Sequence, residues 1–304
     1  MTTASPSVSV IIPAHNDGDG LRATLEALAA VQVPDGGMEV IVADDRSTDD
    51  LEPIVAPFPF ARRIVNDGGK GSYGARNAGV RASSGAILAF TDADCEPDPG
   101  WLTAIVAALT AEPGIVVAGA IRMPLGPSPT LAAMVDVIYH LDQERYIDNF
   151  GYAVTANVAC TREVFAQAGP FDETLKSGGD REWTTRAQQR GAPLRFVPEA
   201  SIAHPPRSTA SALLTKSRRV AQGVSDMRHA QAKADRPRAA YLHPGWLRPR
   251  HRPRGLTRVR ENGATPGRVR WLLVGAAQLA FVQYPQALYA MRADLGHKLR
   301  RRRS

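Results

Sequence analysis

The chain has 304 residues, enough for one large domain or two modest ones, and its 44% hydrophobic content suffices for a buried core. Aromatic residues make up only 6%, which argues against a carbohydrate groove lined throughout with stacking rings; the two cysteines, Cys95 and Cys160, match no zinc spacing and point to no disulfide scaffold, leaving room for a single bridge. The net charge of +7 hides a division: residues 1–205 carry 15 Lys and Arg against 26 Asp and Glu, and residues 206–304 carry 22 against 4, so the first part suits a cation or chemistry and the second an anionic surface.

The opening "MTTASPSVSVIIPAHND" has no basic leader, and its apolar run is far too short for a secretory signal, so a reducing cytoplasm is the expected compartment. "VSVII" (8–12) predicts a buried strand, followed by an amphipathic helix with Leu21, Leu25 and Leu28 on one face. "EVIVA" (39–43) is the second strand, and Ser47 with Asp50 in "DRSTDD" predicts the start of the next helix through an acidic capping arrangement. "RIV" (63–65) reads as a short third strand before a glycine-rich turn and a helix around 74–83. "AILAF" (86–90) is a fourth strand, a helix runs from about Trp101 to Thr110, and "IVVAGA" (115–120) is a fifth strand. Beyond residue 122 the pattern loosens into helices with one strand at 153–160, and "SGGDREW" (177–183) opens a helix reaching about Arg190. After His204-Pro205-Pro206 the composition turns to Arg and Pro, notably "LRPRHRPRGLTRVR", which places a domain boundary between 1–206 and 207–304. Strands alternating with helices predict an α/β fold, a mostly parallel sheet flanked by helices, with ligands beyond the carboxyl ends of the strands. Asp44-Asp45 and Asp92/Asp94 both fall there.

The run "ILAFTDADCEPDPGW" (87–101) ends a strand in two carboxylates one residue apart, with Glu96 and Asp98 following. Such acids repel one another without a cation among them. They read either as loop caps for the next helix or as ligands of a divalent metal, Mn2+ or Mg2+, that holds a diphosphate. Asp44 and Asp45 read either as a turn or as acceptors for a base N–H or sugar hydroxyl. Gly69-x-Gly71-x-x-Gly74 satisfies the dinucleotide fingerprint, with Asp92 near the expected distance beyond, so a nicotinamide-dependent oxidoreductase is the rival enzyme. Against that reading, the glycines follow the third strand and the cluster at 92–98 stays unexplained; Lys70 and Arg76 would instead face a diphosphate. Asp180 and Glu182 follow two glycines at a helix start, where a carboxylate is either a cap or a reactive group. His204 reads either as a surface histidine or as a metal ligand.

Taken in order, "VSVIIPAHND", "VIVADDRSTDD", "GARNAGVRASSGAILAFTDADCEPDPGWL" and "GGDREWTTRAQQRG...FVPEASIAH" resemble family 2 glycosyltransferases of the GT-A fold, over roughly residues 7–206. The resemblance implies that Pro13 and Ala14 contact a nucleotide base, Asp45 bonds the base, Arg76 helps hold the nucleotide, and Asp92 lies near the ribose. It implies Asp94 as metal ligand and Asp180 as general base; His204, from the reading of the residues themselves, is the candidate second metal ligand. The family often has Glu-Asp where this chain has Gly179-Asp180. The implied reaction is an inverting, metal-dependent hexosyl transfer from a nucleotide-diphosphate sugar, UDP-sugar favoured, to a glycan or lipid-linked hydroxyl acceptor in surface glycan, exopolysaccharide or glycolipid synthesis.

Residues 271–291, "WLLVGAAQLAFVQYPQALYAM", carry no charge and lie between Arg270 and Arg292. The length permits a spanning helix, but Gln278, Gln283, Gln286 and Pro285 favour an interfacial helix, with a packed soluble helix as the other reading. The flanking arginines and the terminal "KLRRRRS" suit an anionic leaflet, hence a peripheral position at the inner face of the membrane. The tail lacks interleaved aromatics or a reading module, so no nucleic-acid partner is expected. A non-catalytic adaptor for an anionic surface is the third class considered.

Overall fold

A computed structural model of the protein describes residues 7–230 and 255–301. The chain divides into two compact units: the described residues to Arg122 with Leu141–Thr174 and Gly179–Pro205, and Met123–His140 with Leu175–Gly178 and the described residues from Pro206 onward. Residues 247–254 of the Arg/Pro-rich run and Arg302–Ser304 of the basic terminus lie outside the described residues.

The first unit opens with β1 (Val8–Ala14), α1 (Gly18–Ala29), β2 (Met38–Asp44), α2 (Glu52–Val55), β3 (Ala61–Val65), α3 (Ser72–Ala82) and β4 (Ile87–Thr91). It continues through β5 (Glu96–Pro97), α4 (Trp101–Ala111) and β6 (Val116–Arg122); α5 (Leu131–Tyr139) belongs to the second unit. Then come α6 (Gln143–Phe150), β7 (Asn157–Thr161), α7 (Arg162–Ala168), α8 (Gly179–Gln189) and β8 (Leu194–Ala203). The eight strands form one sheet in the order β3-β2-β1-β4-β7-β6-β8-β5. Four of the seven pairings are parallel and three antiparallel, so the sheet is mixed, with β7 running against both neighbours. The continuous apolar runs of β1 and β4 follow from burial of both faces of a central strand. Their register sets Ala14 beside Asp44 and Ile11 beside Phe90, so the acidic segments after β2 and β4 leave the sheet at one edge.

Three sequence expectations change. Ser47 does not start a helix: Asp44 Oδ1 accepts the Ser47 N–H at 2.8 Å, and α2 begins only at Glu52, whose N–H meets Asp50 Oδ1 at 3.1 Å. These short-range bonds offer the backbone a turn in place of a helix. The strand expected at 153–160 is confined to β7. β5 and β8 were not foreseen, because β8 carries Pro198 and a break in alternation. That break is a bulge: Gly119 pairs with Val197 but Ile121 with Ile202. It needs a glycine, since a Cβ at Gly119 would lie 2.0 Å from the Ala200 carbonyl oxygen. Asn157 secures the bend by donating to Ala120 and Ala200 carbonyls (2.9 and 2.8 Å) while accepting from Trp101 Nε1 at 2.9 Å. The strand end is thereby turned so that the His204 N–H meets the Arg122 carbonyl at 2.9 Å.

The second unit is helical: α5, α9 (Ala210–Ala230), α10 (Gly255–Glu261), α11 (Arg268–Gln278), a π turn at Leu279–Gln283, and α12 (Tyr284–Arg301). The π turn has a local cause. Pro285 has no N–H for the Phe281 carbonyl, which accepts instead from Ser217 Oγ at 2.9 Å. Among the described residues no helix is long and apolar enough to cross a membrane.

Candidate active site

All eight residues singled out from the sequence lie in the first unit. Pro13 is half-buried and Ala14 buried; the Ala14 carbonyl accepts the Asp45 N–H at 2.8 Å, which ties the end of β1 to that of β2. Asp44 is buried and structural. Burial alone would raise its pKa, but bonds from Ser47 and the Arg63 guanidinium, 2.6 Å away, outweigh this and hold it below the usual carboxylate range.

Asp45 organises the glycine loop. Its Oδ1 accepts from Asn66 Nδ2 at 2.8 Å and its Oδ2 from the Gly71 N–H at 2.7 Å. Glu173 holds the same loop from the other side, accepting from the Gly69 N–H at 2.6 Å and from Asn77 Nδ2 at 2.9 Å; these two bonds lower its pKa. Gly74 is obligatory, because a Cβ there would lie 1.8 Å from the Gly69 carbonyl oxygen. A dinucleotide loop offers such N–H groups to a pyrophosphate. Here two of them are taken by carboxylates of the chain itself, which disfavours the oxidoreductase reading.

Gly71 is also the N-cap of α3, and that helix carries Tyr73 and Arg76 into the site. Arg76 is buried and pairs with Asp92, and its guanidinium stands 6.0 Å from the Tyr73 ring centroid. Its Nε meets no hydrogen-bond partner among the described residues. Tyr73 reaches on to the start of α8. Its ring covers Gly179, where a Cβ would come within 2.6 Å of Cζ, and its hydroxyl accepts the Asp180 N–H at 3.4 Å. Asp180 Oδ1 accepts from Thr155 Oγ1 at 2.7 Å. Glu182 is bound instead to Arg186, with Nε–Oε1 at 2.8 Å. Asp92, Arg76, Tyr73 and Asp180 thus form one chain of contacts.

Asp94 meets His204 across the β5–β8 pairing. Nδ1–H of His204 donates to the Pro205 carbonyl at 2.8 Å, and Nε2 stands 3.5 Å from Asp94 Oδ1. A backbone carbonyl on one ring nitrogen, with the other turned to a carboxylate, is how metal-binding imidazoles are oriented. Cys95 completes a group whose ligand atoms lie within 4.8 Å of one another. Its thiol is pushed well above the usual range by burial and by Asp92 and Asp94, and a soft sulfur is a poor partner for a hard, oxygen-seeking cation. Oxygen from Asp94 and nitrogen from His204 fit manganese or magnesium sharing its sphere with phosphate oxygens. Both cysteines are free and buried.

Sequence reasoning missed Tyr73, Thr155 and Glu173 as site residues. Tyr73 sits inside the glycine loop but matches no fingerprint, and Glu173 and Thr155 act through distant partners that spacing does not reveal.

The fold is that of the GT-A class of α/β protein. Mannosyltransferase PcManGT from Pyrobaculum calidifontis, solved with GDP-Man and Mn2+, is similar with a TM-score of 0.57 and 20% identity over 97% of this chain and 87% of that one. GalNAc-T7, solved with UDP, GalNAc and Mn2+, is similar with a TM-score of 0.53 and 21% identity over 66% of this chain and 43% of that one. Glycosyltransferase AglE of Haloferax volcanii is 35% identical over 227 residues, 73% of this chain and 74% of its own length. The pre-mycofactocin glycosyltransferase of Mycobacterium tuberculosis is 30% identical over 66% of this chain, which spans only 43% of that relative. The profile of glycosyl transferase family 2 matches residues 9–165, and the chain belongs to this family.

Proposed function

We propose that the protein transfers a sugar from a nucleoside-diphosphate donor to a hydroxyl acceptor with inversion at the anomeric carbon. The observation that carries this reading is the approach of His204 Nε2 to Asp94 at a strand edge, with the other ring nitrogen tied to a backbone carbonyl. Asp94 and His204 would hold a divalent cation, Mn2+ or Mg2+, which when bound supplies positive charge against the diphosphate leaving group. Pro13, Ala14 and Asp45 line the base side. Arg76 and Asp92 serve the ribose and diphosphate, Arg76 by exchanging part of its pairing with Asp92 for the nucleotide. Asp180, steadied by Thr155, takes the proton of the attacking hydroxyl. UDP is the favoured nucleotide; GDP is the alternative that a structural neighbour solved with GDP-Man brings forward. Residues 1–206 are proposed as the catalytic domain. The basic extension 207–304 supports an acceptor at an anionic membrane surface, a glycan or lipid-linked hydroxyl met at the inner face.

Isothermal titration of UDP and GDP, with and without manganese, tests the assignment. Asp94→Ala and His204→Ala are expected to lose manganese-dependent binding, whereas Asp180→Asn keeps it and loses roughly 10²–10⁴-fold in donor turnover, the scale of a positioned base. Unchanged affinity in Asp94→Ala would remove the metal from the mechanism.

A further inference from the structure

We propose that the outer face of α11, the π turn and α12 is the seat by which the protein lies on an anionic bilayer. This rests on the reading that the extension meets such a membrane, and it names the surface that does so. Val269, Leu272, Leu273, Tyr284 and Leu288 are large apolar side chains left 73%, 74%, 49%, 41% and 49% exposed. Ala276 and Ala280 are exposed between them. The positions recur every three or four residues, so they share one side of the rod. On an α-helix alone, repeated four-residue steps would drift by about 40° each; the wider π turn absorbs part of that drift. From Val269 to Leu288 the stripe runs on the order of 29 Å at the helical rise.

Two of the three glutamines that weaken a spanning helix, Gln278 and Gln283, do not interrupt this face. Gln278 and Gln283 are buried on the inner side, where Gln278 Nε2 donates to Gln283 Oε1 at 2.7 Å. An apolar groove of about 400 Å³, lined by Leu214, Tyr284, Pro285, Leu288, Tyr289 and Met291, shares Tyr284 and Leu288 with the stripe. Charge identifies the occupant. Exposed Arg268 and Arg292 stand at the two ends of the stripe, and no Asp or Glu occurs between Glu261 and Asp294. An apolar strip with cations at both ends fits acyl chains below and anionic headgroups beside it, and a monomeric soluble protein rarely leaves such a patch bare.

Co-sedimentation of the full chain with vesicles of phosphatidylcholine alone, or mixed with phosphatidylglycerol, tests the seat. The triple variant Leu272→Ser, Leu273→Ser, Leu288→Ser changes exposed positions only and is checked by thermal melt and by manganese-dependent nucleotide affinity. The wild type should bind the phosphatidylglycerol vesicles, and the variant should bind about 100-fold more weakly with melt and nucleotide affinity unchanged. Val33→Ser and Val65→Ser, also at exposed apolar positions, should leave binding as it was. Equal binding by wild type and triple variant would overturn the seat while keeping the membrane reading. Failure of the wild type to bind would overturn both, without touching the nucleotide assignment. A wild-type dimer in sedimentation velocity that the triple variant abolishes would give the face to a second copy of the chain instead.

Discussion

At the scale of single residues, Gly179 and Tyr73 explain one another. The space beside the Cα of Gly179 is filled by the Tyr73 ring. Tyr73 is in turn stacked on Phe171, with centroids 6.0 Å apart, so it has little freedom to yield. Gly179→Ala should therefore destabilise the protein by about 1–3 kcal/mol, the usual scale of overpacking. Adding Tyr73→Ala should restore part of that loss, because residues in direct contact are not additive. Melts of the two single variants and the double variant complete the cycle; strict additivity would mean that the ring does not set the requirement for glycine.

At the scale of elements, α5 is pinned by a buried charge. Asp136 is fully buried, with His140 Nδ1 at 2.6 Å, the Arg207 N–H at 2.9 Å and Arg207 Nη1 at 3.3 Å, and Lys216 Nζ at 3.7 Å. Burial alone would raise its pKa, but the His140 bond and the nearby cations hold it far below the carboxylate range. His140 is pushed down to about 4 by burial and Lys216, against the pull of Asp136; α10 adds Arg258, whose Nη1 donates to the His140 carbonyl at 2.7 Å. Both folded pKa values are depressed, so the unfolded chain binds more protons as pH falls, and stability present above the unfolded values is lost on acidification. For His140 the window runs from 6.5 down to about 4, with a loss of up to about 3 kcal/mol. Asp136 extends the loss below its unfolded value of 3.8. Melts between pH 7 and pH 4.5 at constant ionic strength should show falling stability, with a flatter profile in His140→Gln. An equal slope in that variant would place the titration elsewhere.

At the scale of the whole molecule, the change of composition after Pro206 invites a truncation there, but the second unit also contains Met123–His140. Removing residues 207–304 takes Arg207 and Lys216 from Asp136 and takes Arg258 from the carbonyls of Val137 and His140. A buried carboxylate that loses its cationic partners and keeps only the His140 bond costs about 3–5 kcal/mol. The truncated chain is therefore expected to lose soluble yield and cooperative melting. A truncation that melts as sharply as the full chain would show that α5 needs no cover from the extension.

Local patterns were enough to read strands β1 to β4, helices α1, α3 and α4, the acidic strand ends and the apolar segment near the C-terminus, because apolar periodicity and turn residues act between neighbours in the chain. They also supported a family resemblance that the comparisons bear out. Contacts between distant positions were beyond their reach. β8 hides behind Pro198 and a bulge that only Gly119 and Asn157 make tolerable. The bond from Glu173 to Gly69, the ring of Tyr73 over Gly179, and the meeting of His204 with Asp94 join residues about 104, 106 and 110 positions apart. Spacing carries no information at that range; steric exclusion and hydrogen-bond satisfaction in the packed chain decided those pairings.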